Sequence, residues 1–158
     1  MREATVMVLY VSVVEIAELA ALPESHSAHS ASGPVGAALL GIVWGTAVGL
    51  ALAHWFAFGL AAPAFRGERP TVLDVQIGLA QVAGALLVAA VSSVPVLVFS
   101  DTLAQETTGD VPALLVGLLG YLLSRHRGAS RWAAVAYGLT ALALGVLVAT
   151  VKGLLSSH

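Results

Sequence analysis

Two glutamates, Glu15 and Glu18, stand three residues apart inside an apolar run, Ala4 to Leu22. On a helix this spacing puts both carboxyls on one face, one turn apart. Carboxyls so placed can share a proton, because like charges resist ionising together, or can accept a small cation. An ionised carboxylate in hydrocarbon costs about 2.5–3.5 kcal/mol on insertion scales. The nine Val, Leu and Ile residues of the run contribute about 3–5 kcal/mol towards insertion, and two ionised glutamates would cancel that gain. The pair therefore requires a proton, a partner, water or an ion.

Candidate ligands follow from depth. With Ala4 at the inner edge and 1.5 Å of rise per residue, Glu15 lies about 16 Å in and Glu18 about 21 Å in. Gln81 and Thr140 each lie about 13 Å from the inner ends of their own runs, and Thr46 reaches a similar level from the other side. Glu15, Thr46, Gln81 and Thr140 are thus expected to share a layer, with Ser12 a turn below Glu15 on nearly the same face. The transport or ion-binding set is Glu15, Glu18, Gln81, Thr46, Thr140 and Ser12. Two static roles compete with transport: a salt bridge from Glu18 to Lys152, and a hydrogen bond from Glu15 to Gln81 or Thr140 that glues helices together. A transporter should set the carboxyls against a polar cavity. A scaffold should tie them to Lys152 or to hydroxyls.

Other polar residues divide by the simplest account of each. His54 could relay protons on the inner side, or stand as an interfacial residue beside the belt residue Trp55. Thr71 and Asp74 form a T-x-x-D capping box, which accounts for Asp74. His26, His29 and Glu24 could ligate a divalent metal, but their segment is rich in Ser, Ala and Gly, so no metal site is assigned. No P-loop, dinucleotide fingerprint, nucleophile elbow or H-E-x-x-H is present. Ser12, Ser92 and Ser93 have no histidine at their depth to act as a base. Neither an enzymatic activity nor a cofactor is expected. The chain contains no cysteine, which excludes disulfides and thiolate metal sites. Its seven basic residues form no cluster, which argues against nucleic acid.

The elements that must hold these residues are membrane helices. Hydrophobic residues make up 58% and charged residues 10% of the 158-residue chain, with a mean hydropathy of +0.92. A soluble domain carries about 25% charged residues. Five apolar runs, 4–22, 35–62, 72–99, 111–124 and 131–155, predict an all-α polytopic bundle of five transmembrane helices in one domain over residues 1–158. The fourth is short and spans only if Arg125 and Arg127 snorkel. Asp110 and Ser130 are candidate N-caps, and the segment between Ser100 and Asp110 reads as a link. Arg2, Arg66, Arg69, Arg125, Arg127 and Arg131 fall on one side of alternating spans, while Glu24, Asp101, Glu106 and Asp110 fall on the other. The N-terminus is therefore expected inside and the C-terminus outside a cell membrane. Arg2, Val6 to Val14 and Ala17 to Ala21 also fit the three regions of a signal peptide, although the cleavage pattern is weak.

Two stripes of small residues suggest close helix packing. One is Ala37, Gly41, Gly45, Gly49, Ala53, Ala57 and Ala61; the other is Ala141, Gly145, Ala149 and Gly153. They could pack the second span on the fifth, or either could face a second copy in a homo-oligomer. Pro95 should bend the third span near Val91, with Ser92 and Ser93 placed to refill the lost hydrogen bonds.

The stretch from Trp44 to Phe56, WGTAVGLALAHWF, resembles segments of small multi-spanning integral membrane proteins of actinobacterial type, as do the Arg127–Arg131 link and the Lys152-Gly153 end. The resemblance implies lineage and topology and carries no activity. Five spans with a basic inner side are also similar, in span count alone, to vacuolar-iron-transporter-like proteins. The expected function is translocation of protons or a small cation at intramembrane carboxylates. The alternative is a non-transporting scaffold, accessory or assembly subunit.

Overall fold

The structure, a computed structural model, describes residues 2–22, 34–66, 71–99 and 101–156. All regular structure among them is helical: α1 (Arg2–Leu19), α2 (Ala37–Arg66), α3 (Val72–Ser92), α4 (Val94–Val98), α5 (Asp101–Thr108), α6 (Asp110–His126) and α7 (Arg131–Ser156). Three stretches, Ala37–Leu60, Val72–Val98 and Arg131–Val148, are long and apolar enough to cross a membrane. This is fewer than the five runs suggest. α1 has the length, at 18 residues, but carries Arg2, Glu3, Glu15 and Glu18, and α6 has only 17 residues.

Local signals explain most boundaries. The Thr71 side chain caps the Asp74 N–H while the Asp74 carboxylate accepts from the Thr71 N–H at 2.8 Å, as the capping box requires. Ser130 Oγ accepts from the Ala133 N–H at 3.2 Å, and Gly128, at φ 81°, turns the chain from α6 into α7. Ser130→Ala is expected to cost about 1 kcal/mol of unfolding free energy, measurable by equilibrium denaturation in detergent. Asp110 is not the cap of α6. Gly109 holds that position, because the preceding segment is itself the helix α5 rather than a link. Its Thr107 and Thr108 hydroxyls donate back to the Leu103 and Ala104 carbonyls at 2.6 and 2.5 Å.

α1 is the hub of the bundle. It packs on α3, α6 and α7 and more lightly on α2; α2 also packs on α3, and α6 packs on α7. Its buried residues Met7, Val8, Val11, Ser12, Glu15 and Ile16 recur at the helical spacing of three and four. Met7, Val8 and Val11 meet Val43, Ala47 and Ala51 of α2 and Ala85, Val88 and Ala89 of α3. The outside is apolar: Trp132 is 85% exposed and Leu97 74%, whereas Glu15 is 1% exposed. Such an inverted surface suits lipid rather than water.

The small-residue stripes do not meet each other. A Cβ added at Gly41, Gly45 or Gly49 would find nothing within 4 Å, so that face of α2 is uncovered. The Ala61 side chain lies outside the described residues. On α7, Ala141 and Gly145 turn inward, to α6 and to Ile16 of α1, while the Ala149 and Gly153 side chains lie outside the described residues. The tightest helix approaches are elsewhere. A Cβ at Gly138 would stand 2.7 Å from the Gly117 carbonyl oxygen, and one at Gly84 would stand 2.7 Å from the Ala4 carbonyl oxygen.

Candidate functional site

Glu15 is buried where α1 meets the end of α3. Its Oε2 accepts a hydrogen bond from Ser92 Oγ at 2.7 Å. Its Oε1 and the Oγ of Ser12, also buried, have no partner. Its neighbours along α1, Val11 and Ile16, belong to the two apolar clusters of the core. An acceptor oxygen in such a place is costly unless a proton or another donor satisfies it.

Glu18, one turn further, is half-buried and accepts from the Thr46 hydroxyl. With Ala21, Leu22, Gly41, Ile42, Gly45 and Thr46 it lines an open groove of about 460 Å³. The two carboxyls therefore differ in setting. One is enclosed among apolar side chains, and the other opens onto the flank of α2. A larger groove of about 540 Å³ between α3, α6 and α7 is apolar and contains no charged side chain.

The helix is interrupted at Ser93, between α3 and α4, two residues before Pro95, although Ser93 keeps helical dihedrals (φ -77°, ψ -18°); the bend expected at Pro95 is not seen at this position. Ser93 Oγ donates to the Ala89 carbonyl at 2.7 Å and accepts from the Trp44 indole N–H at 2.9 Å. The serines thus divide their work: Ser93 braces the backbone at the helix interruption, and Ser92 reaches across to Glu15.

The expected layer of Glu15, Thr46, Gln81 and Thr140 is not what the packing assembles. Thr46 meets Glu18, not Glu15. Thr140 is exposed and donates to its own helix, at the Ala136 carbonyl, 2.9 Å away. Gln81 has a buried Oε1 without a partner but lies eleven residues, about 16 Å of helix rise, before Ser92. The reason is a misplaced depth scale. Ala4 rests against Gly84, twelve residues past Val72, so α1 sits about 18 Å further along α3 than a common inner edge assumes. Ser92 takes the place assigned to Gln81. Its signal in the sequence was a hydroxyl near a proline, and that signal pointed only to backbone repair.

His54 Nδ1–H donates to the Leu50 carbonyl at 3.2 Å, and its ring tilts against Tyr10, 5.1 Å between centroids. Tyr10 lies five residues, about 7.5 Å of helix rise, before Glu15, so His54 stands toward the start of α1 and not at the carboxyls. The Lys152 side chain lies outside the described residues, as do His26, His29 and Glu24. Among the described residues no three His, Asp or Glu side chains converge as metal ligands.

The chain matches no protein-family model, no curated protein and no solved structure. The functional reading therefore stands on the geometry alone.

Proposed function

We propose that this protein moves protons across a bacterial cytoplasmic membrane, using Glu15 as the buried proton-binding group and Glu18 as its connection to the outer side. The observation that supports this reading is two buried oxygens without partners on one face of α1, the Glu15 Oε1 and the Ser12 hydroxyl, one turn from a carboxyl that opens onto a groove. Buried ionisable groups at membrane depth are expensive and mark ion or proton pathways. A proton fits better than a divalent cation. Hard divalent ions take about six to eight oxygens, and Ser12, Glu15 and Ser92 supply fewer among aliphatic neighbours.

In this reading α1 and α6 cross the bilayer with α2, the α3–α4 pair and α7. The charge of α1 is tolerated because the other helices surround it. The arginine-bearing links between helices lie in the cytoplasm and the C-terminus outside; α1 runs outward from the inner side but starts about 18 Å along α3. His54, beside Tyr10, serves as an inner relay, and Gln81 lines the inner approach. The open Gly41–Gly45–Gly49 face of α2 joins a second copy. The lineage is that of small actinobacterial membrane proteins, with no enzymatic role and no cofactor. A second reading, a non-transporting scaffold or assembly subunit, is favoured by one observation: both carboxyls are held by hydroxyls, Ser92 and Thr46.

Flux into liposomes separates the two. Wild-type protein is expected to carry protons, Glu15→Gln to lose the flux by about tenfold or more, and Glu18→Gln to lose part of it. A wild type that passes neither protons nor common cations rejects transport and leaves the scaffold.

A further inference from the structure

Three side-chain hydrogen bonds link α1, α2 and α3 in a closed ring. Thr46 of α2 donates to Glu18 of α1. Ser92 of α3 donates to Glu15 of α1 at 2.7 Å. Trp44 of α2 donates to Ser93, the residue after α3, at 2.9 Å. On each helix the two participants are close neighbours: Trp44 and Thr46, Glu15 and Glu18, Ser92 and Ser93.

We propose that Trp44 is a positioning residue for the Glu15 carboxyl, acting through the helix interruption at Ser93. This deepens the proton-site reading and rests on it for its functional meaning. Pro95 has no N–H to give the Val91 carbonyl, so the helix lacks one backbone hydrogen bond where α3 gives way to α4. Ser93 is 5% exposed and Ser92 0%, so neither hydroxyl can turn to water for a substitute partner. Ser93 Oγ is held at both ends, donating to Ala89 at 2.7 Å and accepting from the only N–H of the indole. That double tether fixes the turn from which Ser92 projects. A hydrogen bond weakens steeply as its angle opens, so a small rotation of this turn moves Ser92 off Glu15 Oε2. Trp44 touches neither carboxyl. Its influence on Glu15 runs through the position of Ser92.

The test reads Glu15 directly. The infrared carboxyl band of Glu15, isolated by subtracting the Glu15→Gln spectrum, reports on the hydrogen bond from Ser92 whichever protonation state it holds. Ser92→Ala removes that bond and sets the reference shift. Trp44→Phe keeps the aromatic bulk and removes the N–H, and is expected to shift the band in the direction of Ser92→Ala. Ser93→Ala, nearly isosteric, removes the acceptor and is expected to do the same, so the test survives if the tryptophan variant folds badly. Trp55→Phe changes another α2 tryptophan, packed over Gly78 of α3, and is expected to leave the band in place. The proposal is overturned if Trp44→Phe and Ser93→Ala keep the wild-type band, if Ser92→Ala itself causes no shift, or if Trp55→Phe shifts the band equally. Proton flux, measured in parallel on the wild type, judges the transport reading separately. A band that follows Trp44 in a protein without flux keeps the positioning role and removes the transport.

Discussion

The double substitution Glu15→Leu with Ser92→Ala is expected to make the bundle more stable by about 1–3 kcal/mol while abolishing proton flux. Glu15 is almost fully buried and satisfied at only one oxygen. Well-packed apolar residues of similar volume often match or exceed buried polar groups in stability, because their desolvation is not unfavourable. Residues kept at the expense of stability are commonly those that act. Ser92→Ala alone is expected to go the other way, by about 1–3 kcal/mol, since it leaves both carboxyl oxygens without a donor. Equilibrium unfolding in detergent measures all three proteins. A double variant less stable than the wild type would show that the carboxyl and serine work as interhelical glue, and would move the balance to the scaffold reading.

The second large effect contrasts two glycines. Gly84→Ala is expected to destabilise the bundle by about 1–3 kcal/mol and to reduce flux. Its Cβ would meet the Ala4 carbonyl oxygen at 2.7 Å, and a backbone atom cannot swing aside, so α1 must shift along α3. That shift also moves Glu15 relative to Ser92. Gly45→Ala meets open space, and a lone helix should gain up to about 1 kcal/mol from the better helix former. If the open face of α2 holds a second copy, Gly45→Ala instead is expected to turn oligomers into monomers without unfolding the chain. Unfolding curves and sedimentation in detergent read the two effects. A Gly84→Ala protein as stable as the wild type would contradict the close approach of α1 and α3.

Much of the helical layout was legible because its signals are local. The Thr71–Asp74 box, the Ser130 cap and the interruption of the helix ahead of Pro95 each operate within four residues. The apolar runs 72–99 and 131–155 mark α3 with α4, and α7, to within a residue or so at each end. What was not legible depends on how helices slide past one another. Depth counted from the start of each run assumes that all runs begin in one plane, and the contact of Ala4 with Gly84 breaks that assumption for α1. The glycine stripe of α2 marked a surface capable of close approach, but spacing alone does not say which neighbour arrives. Among the described residues close seams are formed by Gly117 and Gly120 against Gly138 and Ala141, and by Gly84 against Ala4. Glu15 was identifiable from its cost. Its partner Ser92 was not, since nothing in the order of residues aligns position 15 with position 92.

α1 precedes its partners during synthesis, yet its buried face is covered by helices that come later. Ser92 lies 77 residues after the carboxyl it satisfies, and α6 and α7 lie further still. Such contacts form late, because distant segments must exist before they can meet. While the chain is being made, the helix carrying Glu15 and Glu18 has no bundle around it and is a poor occupant of lipid on its own. The partners of its two carboxyls, Thr46 and Ser92, come with α2 and α3. The carboxyls are thus covered in two stages as the chain lengthens, Glu18 by α2 and Glu15 by the end of α3.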